Sequence, residues 1–400
     1  MLMQTPQEIP LGLNRIKKNS GGHVISFCGH FNNPHVVTLV ERCAEALGGT
    51  VDCLFMDDTP SFRQDNGWKT QKENIFRALS PSSWLRLAKW LTGTPVKIFW
   101  GAKAPFPTMS MVFILACLVP GRVFLIAEGF TTGDPGFFGR LFLKLVSLVK
   151  PRNGMFLGVG NTAQKEYVQA GLRWPSRLFG FAENAPGQPQ VEKRSADPGR
   201  PLRLLGIGQL IQLKRWDWLV KAIAEHPCRD SVELRICGNG VMKEEIRDLA
   251  AALGVRLELM GFRSGEDLAA DLRWADVLVH PSIFDGWGVV LNHAAYFGLP
   301  MIAYTGVRGA DGIMVRRGRT GFVFETSAEF ACILEKCVSN RSMLLEMGEA
   351  ASEIGQKWTP ESLGAVLAGL IRGDATVALD GEPLGPGPAA PEEVRAECAA

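Results

Sequence analysis

Residues 277–303 read VLVHPSIFDGWGVVLNHAAYFGLPMIA, and the order of apolar runs and glycines in them decides the fold class. Val277 to Val279 is an apolar run of strand length, turned by Pro281 and Ser282 into the glycine-flanked loop Phe284-Asp285-Gly286-Trp287-Gly288. From about Val289 to Phe297 the spacing predicts an apolar helix, stopped by Gly298 and Pro300, and Pro300 to Ala303 is a second strand. Strand, loop, helix and strand make one crossover of a parallel sheet, with a carboxylate and two glycines where the helix begins. Backbone N–H groups free at a helix start attract anions, and glycine lets a bulky ligand approach the backbone. A nucleotide-sugar diphosphate suits such a place. An ordinary crossover without a ligand has the same spacing.

Working outward toward the amino terminus, the same unit recurs. Leu202 to Ile207 is a strand, Gly208-Gln209-Leu210-Ile211-Gln212-Leu213-Lys214-Arg215 its loop, and Trp216 to Glu225 a helix. Leu234 to Cys237 is a strand ending in Gly238-Asn239-Gly240, and Met242 to Leu253 is a helix. Leu257 to Met260 ends in Gly261-Phe262-Arg263, and Leu268 to Trp274 is the helix before the opening stretch. Four successive strand ends therefore carry Gly208, Gly238, Gly261 and the pair Gly286 and Gly288. One glycine in a loop means little; four at one sheet edge mark a place where a ligand meets backbone. Lys214 lies in that set, and an ammonium beside a diphosphate stabilises the charge of a departing phosphate. A solvated surface lysine is the plainer account.

The first half opens in the same manner. His23 to Cys28 is a strand, Gly29-His30-Phe31-Asn32-Asn33-Pro34-His35 a loop, and Val36, Val37, Leu39, Val40, Cys43 and Leu47 recur at helical spacing before Val51 to Met56, a second strand. His30, Asn32 and His35 stand at a strand's carboxyl end, where acceptor-binding groups are expected. Asp57 to Ser80 is polar and irregular. Helices follow at Pro81 to Leu91, Ser110 to Val119, Phe137 to Val149 and Thr162 to Ala170, alternating with strands at Val96 to Trp100, Val123 to Ala127 and Gly154 to Val159. Glu128 follows the second of these strands directly, placed either to bind an acceptor hydroxyl or to cap the next helix. Arg177 to Phe181 leads into residues 184–200, rich in Pro, Gly and charge, which read as a linker. The division expected is 1–183, the linker 184–200, 201–358, a terminal helix at 359–372 packing back on the first domain, and a disordered tail at 373–400.

Four hundred residues, 46% apolar and 21% charged, are a globular chain of two domains. Nine cysteines are scattered singly without a C-x-x-C pair, which points away from zinc and redox motifs and toward a reducing compartment. The first twenty residues lack the apolar core of a signal peptide, and Met109 to Val119 is too short to span a bilayer, so a cytoplasmic protein is expected. The net charge of +2 hides an asymmetry: residues 1–190 hold 20 Lys and Arg against 12 Asp and Glu, and the remainder is acidic. A basic first half invites an anionic partner, either a membrane surface or a phosphorylated lipid, while a solvated surface with ordinary fluctuation of charge has the same balance. Nucleic acid fits less well, because no basic run interleaved with aromatics occurs.

Two Rossmann-like domains joined by a linker resemble the GT-B glycosyltransferases, and the second is similar to family 4 of the retaining enzymes. GQLIQLKRWDWLVKAI, ICGNGVMKEEIRDLAAALGV, LMGFRSGEDLAADLRWADVLVHPS and FDGWGVVLNHAAYFGLPMIA carry the likeness, in family order from about Leu202 to Phe324. SFCGHFNNPHVVTLVERCAEAL, the NGW of residues 66–68 and AEGF are similar, more loosely, to transferases of capsular, exo- and lipopolysaccharide synthesis. The family carries two glutamates eight positions apart, the first on the donor sugar and the second on the nucleotide ribose. Asp285 and His293 hold those positions here. Asp keeps the charge on a shorter arm, whereas a neutral imidazole has one acceptor and one donor for a vicinal diol. The family's basic pair on the diphosphate becomes Gln209 and Lys214.

The resemblance implies a retaining transfer of sugar from a nucleotide-sugar donor to a lipid-linked saccharide acceptor, at the membrane's cytoplasmic face. It implies catalytic roles for Lys214 and Asp285, and Glu128, by its place at a strand's carboxyl end, is the third residue of the expected catalytic set. Gly208, Gln209, Gly238, Asn239, Gly261, Phe262, Arg263, Gly286, Trp287, Gly288, Val289 and His293 hold the donor. It implies no cofactor and no obligatory metal. No D-x-D carboxylate pair of the metal-using transferases stands in a loop, Asp57 and Asp58 being adjacent. Two other readings fit: a GT-B epimerase or phosphorylase, and a non-catalytic GT-B protein supporting polysaccharide assembly.

Overall fold

The computed structural model describes residues 22–30, 32–60, 74–77, 80–101, 107–131, 133–149, 154–187, 197 and 199–374. The leader, Phe31, the NGW triplet, most of the linker and the tail from 375 lie outside them. Two six-stranded, wholly parallel sheets organise the rest. The first takes β1 (His23–Gly29), β2 (Thr50–Phe55), β3 (Val96–Trp100), β4 (Arg122–Glu128), β5 (Gly154–Val159) and β6 (Ser176–Phe179), in the order β2-β1-β3-β4-β5-β6. The second takes β7 (Leu202–Ile207), β8 (Val232–Cys237), β9 (Leu257–Gly261), β10 (Val277–His280), β11 (Met301–Tyr304) and β12 (Gly321–Phe324), in the order β12-β11-β10-β7-β8-β9. The inner strands are nearly continuous apolar runs, as strands covered by helices on both faces must be.

Helices connect the strands. In the first unit they are α1 (Pro34–Ala46), α2 (Pro81–Gly93), α3 (Pro107–Leu118), α4 (Gly136–Val149) and α5 (Ala163–Gln169). Asn33 starts α1 by accepting a hydrogen bond from the His35 amide, with Pro34 in the first turn where no amide is needed. One core cluster joins the buried faces of α2, α3, α4 and α5 to one side of the first sheet. α1 packs on the other side. The second unit adds α6 (Trp216–Ala224), α7 (Lys243–Leu253), α8 (Gly265–Trp274), α9 (Val290–Tyr296), α10 (Ser327–Ser339) and α11 (Arg341–Lys357). α12 (Pro360–Arg372) returns to the first unit. There it lies on α1, held by an Arg42–Glu361 pair at 3.1 Å and by Arg122 Nη1 donating to the Ile371 carbonyl at 2.5 Å.

Two strands differ from the sequence reading. Residues 177–181 are expected to lead into the linker, yet Ser176–Phe179 pairs with β5 as an edge strand. Only Phe179 of its four residues is fully buried, too short and mixed a pattern to read as a strand. β12 lies between Ala303 and Ala328, where the reading places no element; its four residues follow the arginine-rich turn of 316–319.

In each sheet the chain reverses direction of growth once, between β1 and β3 and between β7 and β10. Crevices at such switch points open at the carboxyl ends of the strands and are the usual ligand sites of open α/β sheets. The two sheets turn these ends toward each other. Glu128, at the end of β4, lies against Gly286, beyond β10. The Asn161 amide, beyond β5, donates to the Arg308 carbonyl, beyond β11, at 2.9 Å.

Candidate active site between the two sheets

Lys214 follows β7 and Asp285 follows β10, so the topology brings them to the two sides of the second switch point. They meet there: Lys214 Nζ donates to Asp285 Oδ2 at 2.6 Å. The Lys214 loop is fixed by the Ile283 amide on the Leu213 carbonyl and by a single turn of 3-10 helix over Gln212–Lys214. Arg215 then takes a left-handed conformation, φ 57°, alone among the described non-glycine residues. Its guanidinium lies over the rings of Trp218 and Tyr304, contacts that help to hold a backbone geometry disfavoured for a side-chain-bearing residue. Sequence spacing alone does not show that a strained residue holds the lysine in place.

His280 completes the cluster from beneath. Its Nε2 donates to the same Asp285 Oδ2 at 2.9 Å, and the ring is fully buried. Burial pushes the His280 pKa below the ordinary imidazole value, so the ring is neutral, with Nε2 carrying the proton. Its Nδ1 has no hydrogen-bond partner among the described residues. For Asp285, burial pushes the carboxyl up, but the Lys214 ammonium and the His280 bond outweigh it and hold the group well below the carboxylate range. Asp285 is therefore an anion whose charge is already balanced. An arriving diphosphate would find a lysine shared with a carboxylate.

The glycines divide by cause. A side chain on Gly238 would collide with the Gly208 carbonyl, and one on Gly240 with that of Leu210, so those two are needed where one loop packs on the next. Gly208, Gly261 and Gly288 have positive φ, and a Cβ at Gly261 would meet only Asn239 Oδ1, at 3.5 Å. At Gly286 a Cβ would overlap the carboxyl of Glu128. Glycine there lets the first sheet's carboxylate reach the second sheet's backbone, an approach that one sequence does not disclose.

The other expected donor residues scatter in role. Phe262 stands half exposed at the end of β9. Arg263 lies 3.4 Å from Asp271 on α8, beside Arg235 on the same carboxylate. Gln209 gives its carbonyl to Trp216 Nε1 at 2.9 Å, and Asn239 gives its own to the Leu210 amide. Val289 precedes α9, whose seven residues are fewer than the pattern predicts. Trp287 is 1% exposed: its indole packs against Trp358 at 5.0 Å and Phe181 at 6.4 Å and donates to Asn292 Oδ1 at 2.8 Å. Its side chain is core, and only its backbone faces the loop.

In the first sheet, His30 and Asn32 sit half-buried at the end of β1, the switch-point strand. Burial lowers the His30 pKa against the opposing charge of Asp57. His35 is drawn elsewhere. Its Nδ1 lies 3.0 Å from Glu183 Oε1, while His293 Nε2 lies 3.0 Å from Glu183 Oε2. Burial raises the Glu183 carboxyl, yet the bonds from His293 and His35 prevail and hold it far below its ordinary value. Glu183 is absent from the residues singled out in the sequence. It places a carboxylate beside His293, where the family resemblance leads one to expect glutamate. Far from the cleft, His226, Cys228 and Glu335 cluster closely, but both ring nitrogens of His226 are engaged by backbone.

With this geometry in hand, comparison with known proteins is specific. Residues 188–354 match the family "Glycosyl transferases group 1". Over this segment the chain is similar to the group 1 glycosyl transferases. The match takes in Gly208, Lys214, Gly261, Asp285 and His293, and leaves out His30, Asn32, His35, Glu128 and Glu183. A D-inositol 3-phosphate glycosyltransferase of Corynebacterium efficiens is 28% identical over 211 residues, 49% of each chain. An uncharacterized glycosyltransferase of Methanocaldococcus jannaschii is 33% identical over 101 residues, 25% of this chain and 26% of that one. The alignments thus span a quarter to about half the length of these relatives. In solved structures the likeness is to the whole fold. Anabaena Alr3699/HepE in complex with UDP has a TM-score of 0.68 at 16% identity, over 88% of this chain and 100% of that one. The lipopolysaccharide outer core galactosyltransferase WaaB has 0.63 at 14%, over 87% and 98%. The architecture is GT-B: two Rossmann-like units facing across a cleft. Among the described residues no helix is long and apolar enough to cross a membrane.

Proposed function

We propose that the chain transfers a sugar from a nucleotide-sugar donor to a saccharide acceptor, with retention at the anomeric carbon. The observation that carries this reading is the Lys214–Asp285 pair at the second switch point, with Glu128 of the opposite sheet closing on Gly286. The diphosphate takes Lys214, whose ammonium stabilises the charge that develops as the glycosidic bond to the donor breaks. Asp285, released from that partner but still held by His280, accepts from hydroxyls of the donor sugar. Glu128 accepts from the incoming hydroxyl. Phe262 offers a flat apolar surface to the base, and His293, with Glu183 on its Nε2, faces the ribose.

The acceptor in this reading is a lipid-linked saccharide of surface polysaccharide synthesis, met at the cytoplasmic face of a membrane to which the basic first half is drawn. UDP beside the HepE fold and the lipopolysaccharide function named for WaaB support this direction.

A thermal-shift titration with UDP-, GDP- and ADP-sugars tests the reading, because a ligand that binds only the folded chain must raise its melting temperature. At a hundredfold excess over Kd the stabilisation is about 2.7 kcal/mol. Lys214→Ala is expected to keep the fold and lose the shift and the transfer. No shift with any of the three donors, or an unchanged shift in Lys214→Ala, removes the proposed site.

A further inference from the structure

The outer side of α4 carries a surface that the cleft does not use. The helix reads GFFGRLFLKLVSLV, and only Gly139, Leu143, Val146 and Ser147 of it are buried. Phe137 is 75% exposed, Phe138 78%, Leu141 44%, Leu145 49% and Leu148 78%. Phe137, Leu141, Leu145 and Leu148 fall at helical spacings of four, four and three, so they form one stripe. On the neighbouring helix α3, Leu118 is also 64% exposed. Single exposed apolar residues are ordinary, whereas a contiguous stripe of this kind marks an interaction site. The opposite face of α4 already meets the sheet, so no rearrangement of the core would cover the stripe.

Charge selects the occupant. α4 contains no acidic residue; Arg140 and Lys144 are exposed beside the stripe, and the sequence continues with Lys150 and Arg152. Arg140 is paired with Asp134 at 2.7 Å, which leaves Lys144 as the helix's own basic contribution. Fourteen residues of helix span about 21 Å, short of a hydrocarbon core of about 30 Å. A helix with a phenylalanine and leucine face and a basic margin lies in the plane of a membrane interface, its apolar side among acyl chains.

We propose that α4 docks the chain on an anionic lipid bilayer, with Phe137, Phe138, Leu141, Leu145 and Leu148 inserted and Lys144 at the headgroups. Seven residues separate Glu128 from the start of this helix, so docking sets the mouth of the cleft beside the lipid. The binding itself stands on α4 alone. Its purpose, presenting a lipid-linked acceptor to Glu128, rests on the function proposed above.

Co-sedimentation of the full chain with phosphatidylcholine vesicles, with and without an equal share of phosphatidylglycerol, tests the proposal. Binding is expected on the anionic vesicles and much less on the neutral ones. Phe137→Ser/Phe138→Ser should lower the partition at least about tenfold. Lys144→Glu should lower it about fivefold on anionic vesicles only. Both variants should melt as the parent does, since the changed side chains are exposed. Absence of sedimentation, or sedimentation unchanged in the double variant, overturns the proposal. So does a dimer, seen by light scattering, that the double variant dissociates, because the stripe then belongs to a second copy. Vesicle binding without any nucleotide-sugar shift keeps the docking helix and removes the transferase reading; the reverse result does the opposite.

Discussion

Trp287 offers the sharpest test of how this molecule is held together. Its indole lies in a core cluster that runs through both units, against Trp358 at 5.0 Å and Phe181 at 6.4 Å, with Gly180 and Gly309 allowing the close fit. Trp287→Ala leaves a cavity the neighbours fill only in part, which costs about 3–5 kcal/mol. The lost bond to Asn292, itself wholly buried, orphans an acceptor at about 1–3 kcal/mol more. Together these give a loss of about 4–8 kcal/mol, measured by urea unfolding followed through far-ultraviolet circular dichroism. Trp287→Phe keeps most of the ring and gives up the N–H, so about 1–3 kcal/mol is expected. If Trp287→Ala costs less than about 1 kcal/mol, the interdomain core has been misjudged. Nucleotide titration supplies the second arm. A core tryptophan predicts that Trp287→Phe leaves donor affinity within about threefold, under 1 kcal/mol. A tenfold loss of affinity at unchanged stability would return Trp287 to the donor site and refute the argument.

Two further perturbations probe the contacts across the cleft. Glu183 has its folded pKa held below the unfolded value, so it contributes stability that is present above about pH 4.3 and is lost as the pH falls through its lower folded value. Glu183→Gln is therefore expected to lower the melting temperature at pH 7, and the gap from the parent should narrow steadily below about pH 4; a gap that widens in acid contradicts the bridge. Gly286→Ala forces a methyl into the Glu128 carboxyl, a cost of about 1–3 kcal/mol. Adding Glu128→Ala should recover most of it in a double-mutant cycle, and strictly additive losses would mean that the two groups do not touch.

The second sheet was almost wholly legible because each of its signals is local. An apolar run, a glycine and a helical period are read within a dozen residues, and β7 to β11 follow them closely. Lys214 and Asp285 were legible as candidates for the same reason, each lying one loop beyond a strand. Their bond was not legible, because the two residues are 71 apart in sequence and meet only when β10 pairs with β7. The edge strands β6 and β12 escaped since neither has the length to establish a pattern. The burial of the Trp287 side chain is hidden from the sequence for a related reason. A loop tryptophan beside glycines reads as ligand-facing until Trp358, far along the chain, is known to cover it. The four glycines do stand at one sheet edge, but Gly238 and Gly240 are required there by loop packing, a cause that spacing along the chain does not reveal.

The helix α9 explains why its sequence departs from the family pattern without leaving the site bare. Asn292 donates to the Phe181 carbonyl at 3.1 Å, and Tyr296 Oη lies 2.7 Å from the Glu183 carbonyl and 2.6 Å from that of Trp358. Phe181 and Glu183 belong to the segment leaving the first unit, and Trp358 to the one returning. The short helix thus pins both chain crossings, and His293 stands between its two anchors. A glutamate at 293 would place a second anion against Glu183, in a half-buried position where like charges repel strongly. Histidine instead donates to Glu183, and His35 of α1 holds the other oxygen. The carboxylate here stands on the crossing and not on the helix, and its position depends on both units at once. The His293–Glu183–His35 contact therefore ties the helix of the second unit to the placement of the two sheets. Replacing His293 by glutamate, to restore the family pattern, would break the interaction it was meant to repair.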